Sequence, residues 1–308
     1  MRIFFASDLH GSDRCFRKFL NAAKFYKADW LIMGGDAAGK HLVPLLQDGS
    51  SWRGNFQGAR LEAHTAGELA ALEAQLADMG AYALPTSAEF IQQLSADPEL
   101  VESTLHDLIV KRAQAWVQLA SERVDTETRC VIGLGNDDFD DLAQVFSQGP
   151  TLCPPDGLIE LDGFWFGTVG WSNVTPWRTH REKSETDLGG LVAALESPDA
   201  SRTIWNIHVP PYGSTLDIAP RLSADLQVEL VGGTPDFVPV GSTAVAAGIR
   251  ALQPLLSMHG HIHESRGVIK VGGSTVVNPG SAYDQGTLYG ALIRVSPGKV
   301  EQCQLVIA

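Results

Sequence analysis

Apolar positions along the chain form short continuous runs that are separated by helical patterns. Residues 2–6 are one such run, and a turn at Gly11-Ser12 then precedes a stripe at helical spacing formed by Phe16, Phe19, Leu20 and Ala23. A second apolar run extends from Trp30 to Met33. A strand, a helix and a strand in this order predict a βαβ unit. The carboxyl ends of its two parallel strands share one edge of a sheet, where open α/β sheets bind their ligands.

Residues 41–125 show a different pattern, which is rich in Ala, Leu and Glu. Two capping boxes and an N-cap before a proline mark helix starts there, at Thr65-x-x-Glu68, Thr86-x-x-Glu89 and Asp97-Pro98. An apolar stripe at helical spacing follows, between Glu99 and Val124. We therefore predict a helical insert of about two to four helices over residues 41–125.

Strand patterns return after the insert. Apolar runs predict strands at Cys130–Leu134, Leu158–Leu161, Phe164–Val169, Thr203–Ile207 and Pro254–Met258. A polar loop leads into a predicted helix near Leu188–Leu195. From Gly267 onward, short β-rich runs alternate with turns, as in a meander. The whole pattern is that of an α/β protein without internal repeats.

The composition favours a single domain with an elaboration. Hydrophobic residues make up 44% of the 308 residues, which is enough for a large core. The formal net charge of -13 argues against extended nucleic acid as a partner, because that binding depends on many Lys and Arg residues. A phosphate-handling protein this acidic needs positive charge at its site, and bound metal ions can supply it.

Two further features bear on the cellular setting. The chain has four widely spaced cysteines without a CxxC pair, so we expect buried free thiols rather than a zinc knuckle or disulfides. The apolar run at the N-terminus is too short for a signal peptide. No run approaches the length of about 18 apolar residues that a membrane-spanning helix needs. We therefore expect a cytoplasmic protein without a membrane partner.

Five polar clusters each follow a predicted strand. They are Asp8-x-His10, Gly35-Asp36, Gly135-Asn136-Asp137-Asp138, His208 and Gly260-His261-x-His263. Strand ends at one sheet edge can converge although they are remote in sequence. Each histidine alone would be an ordinary core or surface residue, but imidazoles, carboxylates and an amide oxygen together exceed the ligands of one tetrahedral ion. Two metal ions that share a carboxylate fit the count better.

In this order the clusters resemble the signature of the calcineurin-like metallophosphoesterase superfamily, D-x-H, G-D, G-N-H-D/E, H and G-H-x-H. The resemblance extends over nearly the whole chain outside the insert. Three stretches resemble a prokaryotic branch of small phosphoesterases, namely 206–217, 260–264 and 277–281. The resemblance implies an α/β fold, a four-layer α/β/β/α sandwich of two mixed sheets. The insert over 41–125 would then lie within a single domain of residues 1–308.

The resemblance also implies a set of ligands and a mechanism. One divalent metal ion would be held by Asp8, His10 and His263, and the second by Asn136, His208 and His261. Asp36 would bridge both ions, and a hydroxide between them would attack the phosphate. Asp36 and Asn136 are therefore expected to be catalytic as well as metal ligands. Oxygen and imidazole ligands admit manganese, iron, cobalt, nickel or zinc.

One position departs from the signature. Asp137 stands where many members have a histidine that is thought to protonate the leaving group or to contact the phosphate. An ionised aspartate does neither, and it repels a dianionic monoester more than a monoanionic diester. It could hold a proton itself if its pKa is raised. We count Asp137 among the catalytic residues and predict a phosphodiesterase, with a monoester phosphatase and a nuclease as alternatives.

Candidate substrate-binding residues lie in two loops. Arg178, His180 and Arg181 form a small basic cluster that is suited to a phosphate ester, although a solvated loop would show the same pattern. Tyr212 follows His208 and could stack on a base or ring, or it could be a turn aromatic beside Gly213.

Two questions about role stay open at this point. A non-enzymatic scaffold on the same fold would be expected to lose metal ligands, whereas here all seven core positions are occupied. The insert has amphipathic stripes that must be buried, so we predict that it caps the site or forms the interface of a homodimer. The favoured prediction is a metal-dependent enzyme that acts on a small phosphate ester.

Overall fold

Two six-stranded sheets form the centre of the computed structural model, which describes residues 1–308. The strands of the first sheet, in spatial order, are β22 (Lys299–Ile307), β21 (Tyr289–Ser296), β1 (Arg2–Ala6), β2 (Trp30–Met33), β7 (Arg129–Ile132) and β8 (Thr151–Leu152). Those of the second sheet are β19 (Gly267–Val271), β20 (Ser274–Asn278), β18 (Leu256–Met258), β13 (Thr203–Ile207), β10 (Phe164–Val169) and β9 (Gly157–Leu161). Both sheets are mixed: antiparallel strands flank the parallel ones at one edge of the first sheet and at both edges of the second.

The alternation of side chains along the strands separates the core into layers. In β1, Phe4 and Ala6 face a helical layer, whereas Ile3 and Phe5 face the second sheet. Seven α-helices complete the fold: α1 (Asp13–Tyr26), α2 (Ala66–Asp78), α3 (Ala88–Ala96), α4 (Pro98–Arg123), α5 (Leu142–Phe146), α6 (Glu185–Ala193) and α7 (Thr243–Leu252). Helices α1, α4 and α5 cover the first sheet, and α6 and α7 cover the second. The predicted four-layer α/β/β/α sandwich is confirmed.

Residues 41–125 differ from the prediction of a purely helical insert. They contain α2, α3 and α4, but also a four-stranded sheet in the order β5 (Ala59–Ala63), β4 (Ser51–Phe56), β3 (His41–Asp48) and β6 (Ala81–Thr86). Val43, Leu45, Leu72 and Leu76 are among the residues that give this sheet and α2 a hydrophobic cluster of their own. The insert is therefore an α/β element.

Tight hairpins explain why the composition of residues 41–125 predicted helices only. The β4–β5 turn is Gln57-Gly58, with φ of 49° and 79°, and two positive φ values in a two-residue loop are typical of a β-hairpin. The β3–β4 turn likewise begins at Gly49, with φ of 60°. A smaller difference concerns α3, where Ser87 rather than Thr86 caps the helix and accepts a hydrogen bond from the amide of Phe90. The caps Thr65 and Asp97 lie where they were predicted.

Helix α4 joins the insert to the main core. Its residues Ile109, Ala113 and Trp116 belong to the same hydrophobic cluster as α1. The Trp116 indole stacks on Phe16 with ring centroids 4.1 Å apart, and its Nε1 donates a hydrogen bond to Asp13 at 2.6 Å. The insert is thus continuous with the helical layer over the first sheet.

The remaining elements are short and lie in the loops of the second half of the chain. They are β11 (Ser172–Asn173), β12 (Glu182–Lys183), β14 (Ile218–Pro220), β15 (Leu230–Val231), β16 (Thr234–Pro235) and β17 (Phe237–Pro239). Single turns of 3₁₀-helix occur at Ala200–Arg202 and Tyr283–Gln285. No helix combines the length and the apolar character needed to cross a membrane.

Candidate metal centre

The polar clusters at the strand ends converge between the two sheets. Asp8 and His10 follow β1, Asp36 follows β2 and Asn136 follows β7, all at the carboxyl edge of the first sheet. The second sheet contributes residues after β13 and β18, namely His208, His261 and His263. The structure therefore brings together all seven predicted ligand residues.

Their donor atoms form two groups that share one carboxylate. The first group is Asp8, His10 and His263, and the second is Asp36, His208 and His261. Within each group the donor atoms lie within 4.8 Å of one another. Asn136 completes the second group, with Oδ1 3.0 Å from His208 Nε2 and 2.7 Å from His261 Nδ1. Asp36 Oδ2 lies 3.6 Å from His10 Nε2 and 3.4 Å from His208 Nε2. It therefore faces both groups.

Four of these residues have a left-handed backbone conformation, which is unfavourable for any residue other than glycine. Asp8, His10, Asp36 and His261 have φ of 58°, 41°, 51° and 66°. Residues held in this left-handed region cost about 1–3 kcal/mol each and are concentrated at functional sites. The surrounding fold must compensate for that cost.

Close packing of the loops explains two motif glycines. A Cβ at Gly135 would overlap Asp36, and one at Gly260 would overlap Asp8. The Asn136 and His261 loops can therefore approach the carboxylates only because these positions have no side chain.

Hydrogen bonds to backbone carbonyls orient two of the imidazoles. His10 Nδ1 lies 3.2 Å from the carbonyl of Ala38, and His208 Nδ1 lies 3.2 Å from that of Gly34. A carbonyl accepts only, so Nδ1–H donates and Nε2 presents its lone pair to the centre, as in known metal sites. Burial lowers the pKa of His10 to about 3 and that of His261 to about 4, so both imidazoles are neutral.

The two carboxylates among the predicted ligands, Asp8 and Asp36, are ionised. Burial alone would raise the pKa of Asp8, but a hydrogen bond with His263 and the charge of His208 bring it to about 2. The pKa of Asp36 is likewise well below its usual value, since His208 outweighs the effect of burial. Burial lowers the pKa of His208, but the charges of Asp36 and Asp8 outweigh this effect and raise it to about 9, so a cation that binds here must displace a proton from His208. Anionic oxygens, imidazoles and an amide oxygen around one point are a donor set that fits divalent metal ions. The site contains no thiolate that would narrow the choice of metal.

A residue missed in the sequence orients Asn136. Its Nδ2 donates to Thr179 Oγ1 at 2.8 Å, which leaves Oδ1 directed at His208 and His261. The Thr179 hydroxyl in turn donates to Glu182 at 2.8 Å. Thr179 lies in the loop singled out for its basic residues, but the order of residues gave no sign of its contact with Asn136.

Asp137 does not stand alone at the site. Its carboxylate forms a salt bridge with Lys40, and Oδ2 lies 3.8 Å from His10 Nδ1. Burial and the charge of Asp36 raise the pKa of Asp137 to about 8, while Lys40 acts in the opposite direction. Bound cations would act in the same direction as Lys40. From the sequence we considered Asp137 either as an ionised group or as one that holds a proton, but we overlooked Lys40, although Lys40 follows Asp36 by only a few residues.

Three further polar residues hold the loops of the centre in place. Asp138 accepts hydrogen bonds from the amides of Ala37, Ala38 and Gly135, which ties the Asp36 loop to the Asn136 loop. The Asn278 amide donates to the carbonyls of Leu216, Gly260 and Ile262, and the Ser281 hydroxyl donates to that of Asp8. The stretch 277–281, noted in the sequence for its resemblance, thus positions the His261 and Asp8 loops.

His259 lies beside the centre but faces away from it. Its Nδ1 is 2.8 Å from the carbonyl of Ile207 and 2.9 Å from that of Val209, and its Nε2 is 2.8 Å from Ser257 Oγ. It therefore fixes the backbone on either side of His208.

The predicted substrate-binding residues are not bonded to the predicted metal ligands. None of Arg178, His180 and Tyr212 forms a hydrogen bond or ion pair with a predicted metal ligand. His180 stacks on Phe139 with centroids 4.1 Å apart, and the Tyr212 side chain is 44% exposed. The third member of the basic cluster, Arg181, is buried and pairs with Asp140 and Asp156. The assignment of Arg178, His180 and Tyr212 to substrate binding remains a prediction.

Comparisons with known proteins agree with the architecture. The chain matches no described family profile. It is 26% identical over 176 residues, 57% of the chain and 50% of the relative, to a cAMP/cGMP dual specificity phosphodiesterase of Mycobacterium tuberculosis. It is 29% identical over 124 residues, 39% of the chain and 50% of the relative, to an uncharacterized protein of Methanocaldococcus jannaschii. The chain therefore spans about half the length of the curated relatives it matches.

A solved structure extends the likeness to the fold. A crystal structure of a Thermus thermophilus protein has a TM-score of 0.52 and 15% sequence identity, with 97% of this chain and 96% of that chain covered. The fold, the converging clusters and the named relative fit the metallophosphoesterase superfamily. The resemblance predicted from the motifs is confirmed.

Proposed function

We propose that the protein is a metal-dependent phosphoesterase with two divalent cations at the centre described above. The observation that carries the proposal is the position of Asp36, whose Oδ2 faces both donor groups. A carboxylate shared in this way is typical of centres that hold two cations close together. When bound, the cations supply an activated water and positive charge opposite the phosphoryl oxygens.

The chain's own residues provide the rest of the arrangement. Asp8, His10 and His263 would hold one cation, and Asn136, His208 and His261 the other. The carbonyls of Ala38 and Gly34 keep the imidazoles of His10 and His208 in the tautomer that offers Nε2. Thr179 keeps the Asn136 side-chain oxygen directed toward His208 and His261. Hydrolysis of the ester would need no covalent nucleophile from the protein, because the site consists of metal ligands and not of a serine or cysteine paired with a base.

We further propose that the substrate is a phosphodiester. Asp137 replaces a histidine that would be expected to favour the dianionic monoester, and the curated relative from Mycobacterium tuberculosis bears the name of a cyclic nucleotide phosphodiesterase. Lys40 reduces the repulsion from Asp137, so the preference should be moderate.

Replacement of the shared ligand tests the metal dependence. Asp36→Ala should abolish hydrolysis of an aryl phosphodiester and lower the metal content of the purified protein, because both donor groups lose a ligand. The control is Asp225→Ala, which removes an exposed carboxylate outside the centre. Near-normal turnover by the Asp36→Ala protein would refute the proposal.

A substrate panel tests the class of ester. The matched aryl monoester and diester, together with cyclic nucleotides, should be assayed with manganese, iron, cobalt, nickel and zinc. The diester should have the higher kcat/KM, and Asp137→His should shift the ratio toward the monoester. A wild type that favours the monoester, or a ratio that does not move in the variant, would overturn the preference and leave the phosphoesterase proposal standing.

A further inference from the structure

We propose that Lys40 is a substrate-binding residue whose ammonium contacts a non-bridging oxygen of the phosphate ester, and that Asp137 holds it in position. The inference rests on the proposed function and assigns a residue that the family signature does not contain. Four observations support it: the pairing of Lys40, its exposure, the rigidity of its loop and its isolation as a positive charge.

The pairing places a cation beside the metal centre. The Lys40 ammonium bonds Asp137 Oδ2, and Asp137 belongs with His10 and Asp36 to a third group whose donor atoms lie within 4.8 Å of one another. The backbone amide of Asp137 also donates to Asp36 Oδ1 at 2.9 Å. The ammonium is therefore fixed at the rim of the site where the ester must bind.

The exposure of the two side chains differs in the way that a substrate contact requires. The Asp137 side chain is 7% exposed, whereas that of Lys40 is 51% exposed. An ammonium has three N–H donors, and the salt bridge occupies one of them. The others can reach an anionic oxygen that enters from solvent.

The loop that carries Lys40 is held on both sides. The amides of Ala37 and Ala38 donate to Asp138, and the amide of Gly11 donates to the carbonyl of Ala37 at 2.7 Å. The Gly39 amide donates to the Tyr82 hydroxyl at 3.2 Å, and on the far side of Lys40 the strand β3 begins at His41, which pairs with Ala81 of β6. Lys40 therefore leaves a fixed backbone, and only its side chain needs to be ordered by Asp137.

No other Lys or Arg side chain forms an ion pair with a residue of the centre. The nearby Arg181 is paired with Asp140 and Asp156 instead. In a protein with a net charge of -13, Lys40 is thus the Lys or Arg side chain that is held directly at the centre, where it can meet an anionic ester. It would supply the positive contact that the missing histidine of the signature cannot provide.

The test compares Lys40→Met and Lys40→Arg with wild type in the metal-loaded full-length protein. We expect Lys40→Met to lower kcat/KM for the aryl diester by about 10- to 100-fold, as for loss of one charge-assisted hydrogen bond, with metal content unchanged. Lys40→Arg should recover part of the loss. Lys24→Met is the matched control, because it removes an exposed positive charge on α1 far from the centre.

A binding measurement separates this inference from the proposed function. Calorimetric titration of the manganese-loaded proteins with inorganic phosphate should give a Kd about tenfold higher for Lys40→Met than for wild type and Lys24→Met. Lys40→Met should raise the Kd by less in an Asp137→Asn background than in wild type, because the ammonium has already lost its anchor there.

The outcomes are distinct. If wild type hydrolyses esters and Lys40→Met matches it in kcat/KM and phosphate affinity, Lys40 is not a substrate contact. If wild type hydrolyses no ester while Lys40→Met still weakens phosphate binding, the proposed function fails and the contact stands. If metal-loaded wild type neither hydrolyses an ester nor binds phosphate, both are overturned.

Discussion

At the scale of single residues, the centre depends on side chains that touch no metal ion. Thr179, Asp138 and Asn278 each make hydrogen bonds that fix the orientation of a ligand or its loop. Loss of a partner of this kind typically lowers metal affinity or activity by about 10- to 100-fold. The sequence motifs name the ligands but not these partners.

Thr179 offers a direct test of that dependence. Thr179→Val keeps the shape of the side chain and removes the acceptor of Asn136 Nδ2, so the Asn136 oxygen is no longer held toward His208 and His261. We expect metal affinity to fall about 10- to 100-fold. The control is Thr186→Val on the exposed side of α6, and competition with a fluorescent chelator measures both. Equal affinities in the two variants would show that Thr179 has no orienting role.

The same scale shows what sequence reasoning cannot supply. We could predict Asp8, His10, Asp36 and His261 because residues able to bind metal come directly after predicted strands. The local sequence shows that order. Lys40 and Thr179 were missed because their roles arise from contacts between loops that are distant along the chain. A short-range pattern carries no information on such pairs.

At the scale of elements, α4 links the insert to the core. Trp116 is buried, stacks on Phe16 and donates a hydrogen bond to Asp13. Since this contact lies in the main hydrophobic cluster, the insert cannot be an independent unit. The sequence predicted the helix correctly, whereas the sheet of the insert escaped notice because its turns are short and its strands half-exposed.

Replacement of Trp116 measures how strongly α4 contributes to stability. Trp116→Ala should lower the free energy of unfolding by about 3–5 kcal/mol, from lost burial and the cavity left behind. Trp177 is 60% exposed, and Trp177→Ala should change stability by less than about 0.5 kcal/mol. Urea unfolding followed by circular dichroism gives both values. A loss below about 1 kcal/mol for Trp116→Ala would contradict the packing described for α4.

The insert also reaches the loop that carries His10. The Ser12 hydroxyl donates to the carbonyl of Asp78 at 2.6 Å, and Arg17 pairs with the carboxylate of Asp78. Its predicted role as a cap of the site or as a dimer interface stays a prediction. Sedimentation equilibrium of the wild type addresses the dimer directly.

At the scale of the whole molecule, metal binding should be coupled to stability. The fold holds two buried carboxylates and four left-handed residues around one point, and bound cations would offset the cost of both. A cation at a hundred times its Kd adds about 2.7 kcal/mol per site. We expect removal of metal with a chelator to lower Tm, and added manganese to restore it.

The matching variant gives the control for this experiment. In Asp36→Ala the thermal midpoint should respond little to chelator or to manganese, because the shared ligand is absent. An equal rise in Tm for both proteins would indicate that the metal stabilises the fold at some other place.

General rules for parallel strands predicted the α/β pattern and the meeting of the strand ends, whereas the four layers and the full set of ligands were predicted from the resemblance to the superfamily. The mutual orientation of loops does not follow from them, because it depends on hydrogen bonds such as those of Asp138 and Asn278. The roles of these polar residues could therefore be identified only from the structure.

The most direct test of the central claim is anomalous diffraction from crystals grown with manganese. We expect two peaks, one beside Asp8, His10 and His263 and one beside Asn136, His208 and His261, with Asp36 in contact with both. A single peak, or peaks away from these residues, would contradict the account of a two-cation centre.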